Sequence, residues 1–199
     1  MRHRSVQDVS TLPHYAFGSR MTTWWGTLGF CILEGTGFAM AIGAYLYLAF
    51  INPQWPLSAA PPALAWSSAL TIVMVLSVWP NMLAKVAAKH EDIRAVRRNL
   101  VIMSAVGLLL IMLRFLEFGA LHVRWDENAY GSVVWLLLGL HTTHIITDVG
   151  DTLVLTVLMF TKHGQGRRFS DVEDNAFYWN FVVLSWLPIY ALLYWGPRL

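Results

Sequence analysis

The chain has 199 residues, 56% of them hydrophobic and 13% charged, with ten tryptophans and a formal net charge of +2. A soluble domain of this size cannot hide so much apolar surface, so composition excludes that class and points to a polytopic membrane protein. The charge says little about partners, no nucleic-acid partner is expected, and a single cysteine, Cys31, excludes a disulfide framework and a thiolate cluster.

Residues 1–22 carry Arg2, Arg4 and Arg20 but lack the compact apolar core of a secretory signal. They are expected to form a cytoplasmic tail whose Pro13-His14-Tyr15 stretch lies along the first helix. Residues 23–199 read as one membrane domain of five helices, since about 20 apolar residues cross a bilayer. The first span covers 23–50, opens on Trp24 and Trp25, and holds Cys31 as a small buried hydrophobe. Glu34 lies about 15 Å into it by helical rise. Four prolines between Asn52 and Pro62 stiffen the link to a second span at 65–88. The remaining spans are read at 99–121, 132–161 and 176–196. Pro80 and Pro188 fall inside spans, where they predict kinks.

Lysine and arginine set the orientation. Three lie in the tail, five between Lys85 and Arg98, and three between Lys162 and Arg168, all on one side of a chain that crosses five times. Opposite them stand only Arg124 and Arg198, with Arg114 inside a span. The N-terminus is therefore expected inside and the C-terminus outside. Trp55, Trp66, Trp125, Trp135 and Trp195 then mark the outer interface.

Ionisable groups at membrane depth are costly and usually face a bundle interior or a wet path. His141, His144, Asp148 and Asp151 are spaced three, four and three apart, so one helix carries all four on a narrow stripe that should contact protein. Glu34 and His141 are similarly deep from opposite ends and are expected to approach near the midplane, as a structural pair or as a protonatable site. Asp148 and Asp151 line a wet inward groove or bond a partner helix. Arg114 and Glu117, one turn apart, form an internal ion pair that also docks a neighbouring helix.

These residues do not compose a catalytic, haem or metal site. Di-iron bundles use Glu-x-x-His pairs, and no such sequence occurs. His3, His14, His90, His122 and His163 fall in the tail or loops, which leaves no second deep histidine helix to complete a haem site. Neither a nucleotide loop nor a Ser/His/Asp constellation is present.

Several motifs in order resemble subunit III of the haem–copper oxidases, the cytochrome c oxidase family. Trp24-Trp25-Gly26 through Phe30, Glu34 and Phe38 to Tyr45-Leu46-Tyr47 is similar to the family's first common helix with its buried glutamate. Phe115-Leu116-Glu117-Phe118 resembles the aromatic-Glu end of a later helix. Tyr130-Gly131-Ser132 followed by Gly139-Leu140-His141-Thr142-Thr143-His144 resembles the family's Y-G-S … G-[FL]-H-x-x-H signature. Ala176-Phe177-Tyr178-Trp179-Asn180-Phe181-Val182 through Trp186 to Tyr194-Trp195-Gly196 resembles its last helix, with Asn180 in place of a histidine and Val183 in place of an acid. Asp148 and Asp151 stand where the family usually has small or apolar residues.

The resemblance implies a five-helix, non-catalytic subunit of a terminal oxidase that reduces O2 and translocates protons. Such a subunit has no cofactor of its own, with haem and copper in its partners. It packs on subunit I, with subunit II as a further partner, binds phospholipid and supports proton uptake in a bacterial plasma membrane. The electron donor stays open between cytochrome c and quinol. Two alternatives stand beside this reading: an accessory protein of a nitric oxide reductase system, and a stand-alone proton or ion pathway built on Glu34, the histidines and the aspartates.

Overall fold

The computed structural model describes residues 22–57, 60–161 and 168–198. Residues 1–21 of the expected tail, and Lys162 and Arg167, lie outside them. The elements are α1 (Thr22–Ile51), α2 (Leu64–Lys89), α3 (Ile93–Gly119), α4 (Ala129–Phe160) and α5 (Arg168–Tyr190), followed by a π-helical turn, Ala191–Trp195, and a 3-10 turn, Gly196–Arg198. There is no strand among the described residues, and five helices are long and apolar enough to cross a membrane.

Two helices start well before the apolar runs that announce them. The α3 helix begins at Ile93 because the Asp92 side chain caps it, accepting from Arg94 N at 3.1 Å and Ala95 N at 3.2 Å. The α5 helix begins at Arg168 and is amphipathic there. Phe169 and Val172 join an apolar cluster with Ala84, Leu100, Leu155 and Met159, while Asp171, Asp174 and Asn175 face a cavity. A reading based on apolar runs misses such polar first turns.

Helices α2, α3, α4 and α5 close a four-membered ring of contacts, and α1 packs against α4 and α5. The end where α1, α3 and α5 begin is called basal below. A row of hydrogen bonds joins α2 to α5. Trp186 Nε1 donates to Thr71 at 2.8 Å, Trp179 Nε1 to Ser77 at 2.8 Å, and Asn81 Nδ2 to Asn180 Oδ1 at 3.2 Å. Tryptophan buried in a bundle needs such a partner for its N–H. Helix α1 buries only the stripe of Cys31, Phe38, Ala41 and Tyr45.

The Tyr130-Gly131-Ser132 motif is a helix start. Asn128 caps α4 by accepting from Gly131 N at 2.8 Å, and Ser132 Oγ donates back to the Trp125 carbonyl at 2.7 Å. A Cβ on Gly131 would stand 2.1 Å from the Arg124 carbonyl oxygen and 2.8 Å from Val123 Cγ2, so backbone would have to move. Gly131→Ala is therefore expected to destabilise the bundle by about 3 kcal/mol, read as a lower thermal midpoint of the detergent-solubilised chain. An unchanged midpoint would show that the 121–128 loop yields freely.

Candidate functional site

The ionisable residues inside the bundle sort into two centres. The first is closed. Arg114, 1% exposed, donates from Nη1 to Glu117 Oε2 at 2.5 Å and from Nη2 to His141 Nδ1 at 3.0 Å. Its guanidinium carbon also lies 4.3 Å from the centre of the Trp186 ring, a cation–π contact. Glu117 accepts a second bond from the Tyr194 hydroxyl at its other oxygen. Arginine can only donate, so His141 Nδ1 accepts and its Nε2–H donates to the Val182 carbonyl at 3.0 Å. His141 is thus fixed as one neutral tautomer with both nitrogens occupied. The centre ties α3, α4 and α5 together, so Arg114 does more than neutralise Glu117.

The second centre is open and basal. Glu34 of α1 does not meet His141, as depth alone predicted. Its Oε1 lies 3.2 Å from His144 Nε2, an ion-pair distance off the line of a formed hydrogen bond, and its Oε2 accepts from the Tyr178 hydroxyl at 2.8 Å. His144 Nδ1 contacts the Leu140 carbonyl at 2.6 Å. Helix geometry explains the split. At about 100° per residue, three residues turn the chain about 300°, so His144 points about 60° away from His141, toward α1.

Below this pair lies a cavity of about 600 Å³ between α1, α4 and α5. Asp148 forms part of its inner wall; it is 2% exposed, and its Oδ1 has no hydrogen-bond partner. Asp151 is exposed at the rim and accepts from Asn175 Nδ2 at 3.0 Å. Asp171 and Asp174 complete an acidic lining without lysine or arginine among the described residues. No group of three or more His, Cys, Asp or Glu among the described residues converges as a metal site would require.

Sequence reasoning missed Tyr178, Tyr194, Trp186 and Asn175. A signal for the tyrosines was present, because a phenolic hydroxyl at membrane depth must find a partner. Glu34→Ala removes both mid-depth polar ties between α1 and its neighbours. It is expected to cost about 2 kcal/mol and to lower the thermal midpoint while the α1 stripe keeps the helix docked. A midpoint equal to the native one would reduce these ties to bystanders.

Fold and centres together define a multi-pass membrane protein with a closed polar centre at Arg114, Glu117 and His141 and a second, open centre beside an acidic cavity. A family model for cytochrome c oxidase subunit III matches residues 69–197. The chain belongs to the cytochrome c oxidase subunit III family. Among its relatives, the cytochrome c oxidase subunit 3 of Thermostichus vulcanus is 26% identical over 172 residues, 85% of each chain. That of Synechocystis sp. is 25% identical over 173 residues, 85% of this chain and 73% of the relative. That of Petromyzon marinus is 24% identical over 200 residues, 96% and 76% of the two chains.

Proposed function

We propose that the chain serves as the non-catalytic subunit III of a haem–copper terminal oxidase in a bacterial plasma membrane, with haem and copper in its partner subunits. One observation carries this reading beyond family membership. His141 has both ring nitrogens occupied, by Arg114 and Val182, and His144 is held at Nδ1 by the Leu140 carbonyl with Glu34 at ion-pair distance from Nε2. A redox centre would need those ligands free, whereas a packing subunit needs its polar groups satisfied internally. The exposed apolar faces of the helices suit subunit I and phospholipid. The acidic cavity suits proton uptake from the basal side. Subunit II is a further expected neighbour.

Gentle solubilisation and pull-down through this chain tests the reading, with an optical spectrum and subunit composition as readout. A co-purifying haem–copper oxidase is the expected result. A nitric oxide reductase, or a chain that conducts protons alone in liposomes, would replace it. Orientation has its own check. Lysine and arginine asymmetry supports a basal end inside, so reporters fused after Arg97 should read inside and after Arg198 outside. Both on one side would overturn the five-span insertion.

A further inference from the structure

The open cavity is rich in hydrogen-bond acceptors and has few donors left to give. Six of its lining side chains carry N–H or O–H donors, and each has a hydrogen committed within the chain. Thr27, Thr143 and Thr147 donate to carbonyls of their own helices at 3.1, 3.0 and 3.0 Å. The Tyr178 hydroxyl donates to Glu34, Asn175 Nδ2 donates to Asp151, and His144 Nδ1 faces the Leu140 carbonyl. At most one amide hydrogen of Asn175 remains. Acceptors are in surplus. Asp148 is 2% exposed, lines the cavity, and its Oδ1 has no hydrogen-bond partner among the described residues. His144 is 6% exposed, and its Nε2, an acceptor in the neutral ring, is likewise unpartnered at the cavity wall. A buried carboxylate oxygen without a donor is costly, so Asp148 calls for one from outside the chain.

We propose that this cavity binds a water-soluble aliphatic diammonium ion, with Asp148 as the buried anchor for one of its ammonium groups. The chemistry narrows by exclusion. An anion or a phosphate headgroup needs donors, and the lining has neither lysine nor arginine. A metal ion needs converging ligands, and no three of His, Cys, Asp or Glu converge among the described residues. A quaternary ammonium has no N–H to offer Asp148, whereas a primary ammonium offers three.

Two positive charges suit the lining better than one. Asp148 and Asp151 lie one turn apart on α4, and Asp171 and Asp174 lie one turn apart on α5. Between the charges, the methylene chain has an apolar wall in Phe30 and Tyr178, whose stacked rings are centred 5.9 Å apart. Entry is from water, because Asp151 is exposed at the rim and Asp171 stands in the first turn of α5, at the basal end. Binding of such an ion does not depend on the proton-uptake role, and its failure would leave that role untouched.

Equilibrium dialysis of radiolabelled 1,4-diaminobutane against the full-length chain in phosphatidylcholine nanodiscs tests this, since that lipid carries no primary amine. Saturable binding is expected, displaced by unlabelled diamine and not by the neutral 1,4-butanediol. Tetramethylammonium should displace it about tenfold less well. Asp148→Asn should weaken binding about tenfold, and Asp151→Asn at the wet rim about twofold, with the thermal midpoint checking that each variant folds. The competition series needs only the native chain, so it decides even where Asp148→Asn does not fold. Absence of saturable binding, equal displacement by tetramethylammonium, or native affinity in a folded Asp148→Asn chain would overturn the proposal. Binding lost in nanodiscs that contain phosphatidylethanolamine would assign the site to a lipid amine and overturn the soluble source.

Discussion

Arg114→Ala is expected to deplete the folded chain far more than Glu117→Gln. Removing the guanidinium deprives Glu117 and His141 Nδ1 of their donor, uncovers the Trp186 face and opens a void where the side chain is 1% exposed. Breaking a buried pair from one side costs about 3–5 kcal/mol, much of the net stability of an ordinary domain. Glu117→Gln removes a charge yet keeps a workable network. The amide oxygen still accepts from Arg114, the amide nitrogen can donate to the Tyr194 oxygen, and the guanidinium keeps His141 and Trp186. Its expected cost is about 2 kcal/mol, although the remaining cation cannot shed its proton. Combining Arg114→Met with Glu117→Gln removes both charges and refills the volume, and it should recover much of the loss of Arg114→Ala. Thermal midpoint and yield in mild detergent measure all three. If Glu117→Gln proves the worst, charge compensation outweighs the links from Arg114 to α4 and α5.

Much of this architecture was legible before any coordinates, and for identifiable reasons. Five apolar runs become five helices because a bilayer admits little else. The α4 stripe was also legible, since 3.6-residue periodicity must put His141, His144 and Asp148 near one another in angle, and all three are buried. What spacing leaves open is the partner of each residue on the stripe. His141 and His144 differ by about 60° in azimuth, enough to send one to Arg114 on α3 and the other to Glu34 on α1. Depth along the helices gave Glu34 and His141 as neighbours because depth carries no azimuth. Asp151 drifts about 80° from His141 by the same count, and it emerges at the cavity rim rather than in the core. The polar opening of α5 stayed hidden because hydropathy sees Asp171, Asp174 and Asn175 as loop residues. They are the cavity-facing side of a turn whose other face is Phe169 and Val172. The row of bonds between α2 and α5 was equally silent, since no local pattern says which serine a tryptophan reaches.

The cavity carboxylates should matter most when protons are scarce. Asp148→Asn with Asp151→Asn preserves volume and the ability to hydrogen-bond, so the Asn175 contact can persist and assembly should survive. What changes is the field. A concave site lined by one sign of charge concentrates its counter-ion by about tenfold or more, and under the proposed proton-uptake role that counter-ion is the proton. Oxygen uptake by the assembled oxidase should therefore match the native rate at acid pH and fall about tenfold behind it in the alkaline range. Salt separates the two contributions. Asp151 sits at the exposed rim, where an ionic atmosphere of about 8 Å at physiological strength screens it, so its share of the effect should fade as salt rises. Asp148 is 2% exposed, and its share should persist. Single variants measured at low and high ionic strength resolve this, with Asp151→Asn salt-sensitive and Asp148→Asn salt-insensitive. A pH profile unchanged in the double variant would reduce both aspartates to packing between α4 and α5, and proton supply would have to enter the complex elsewhere.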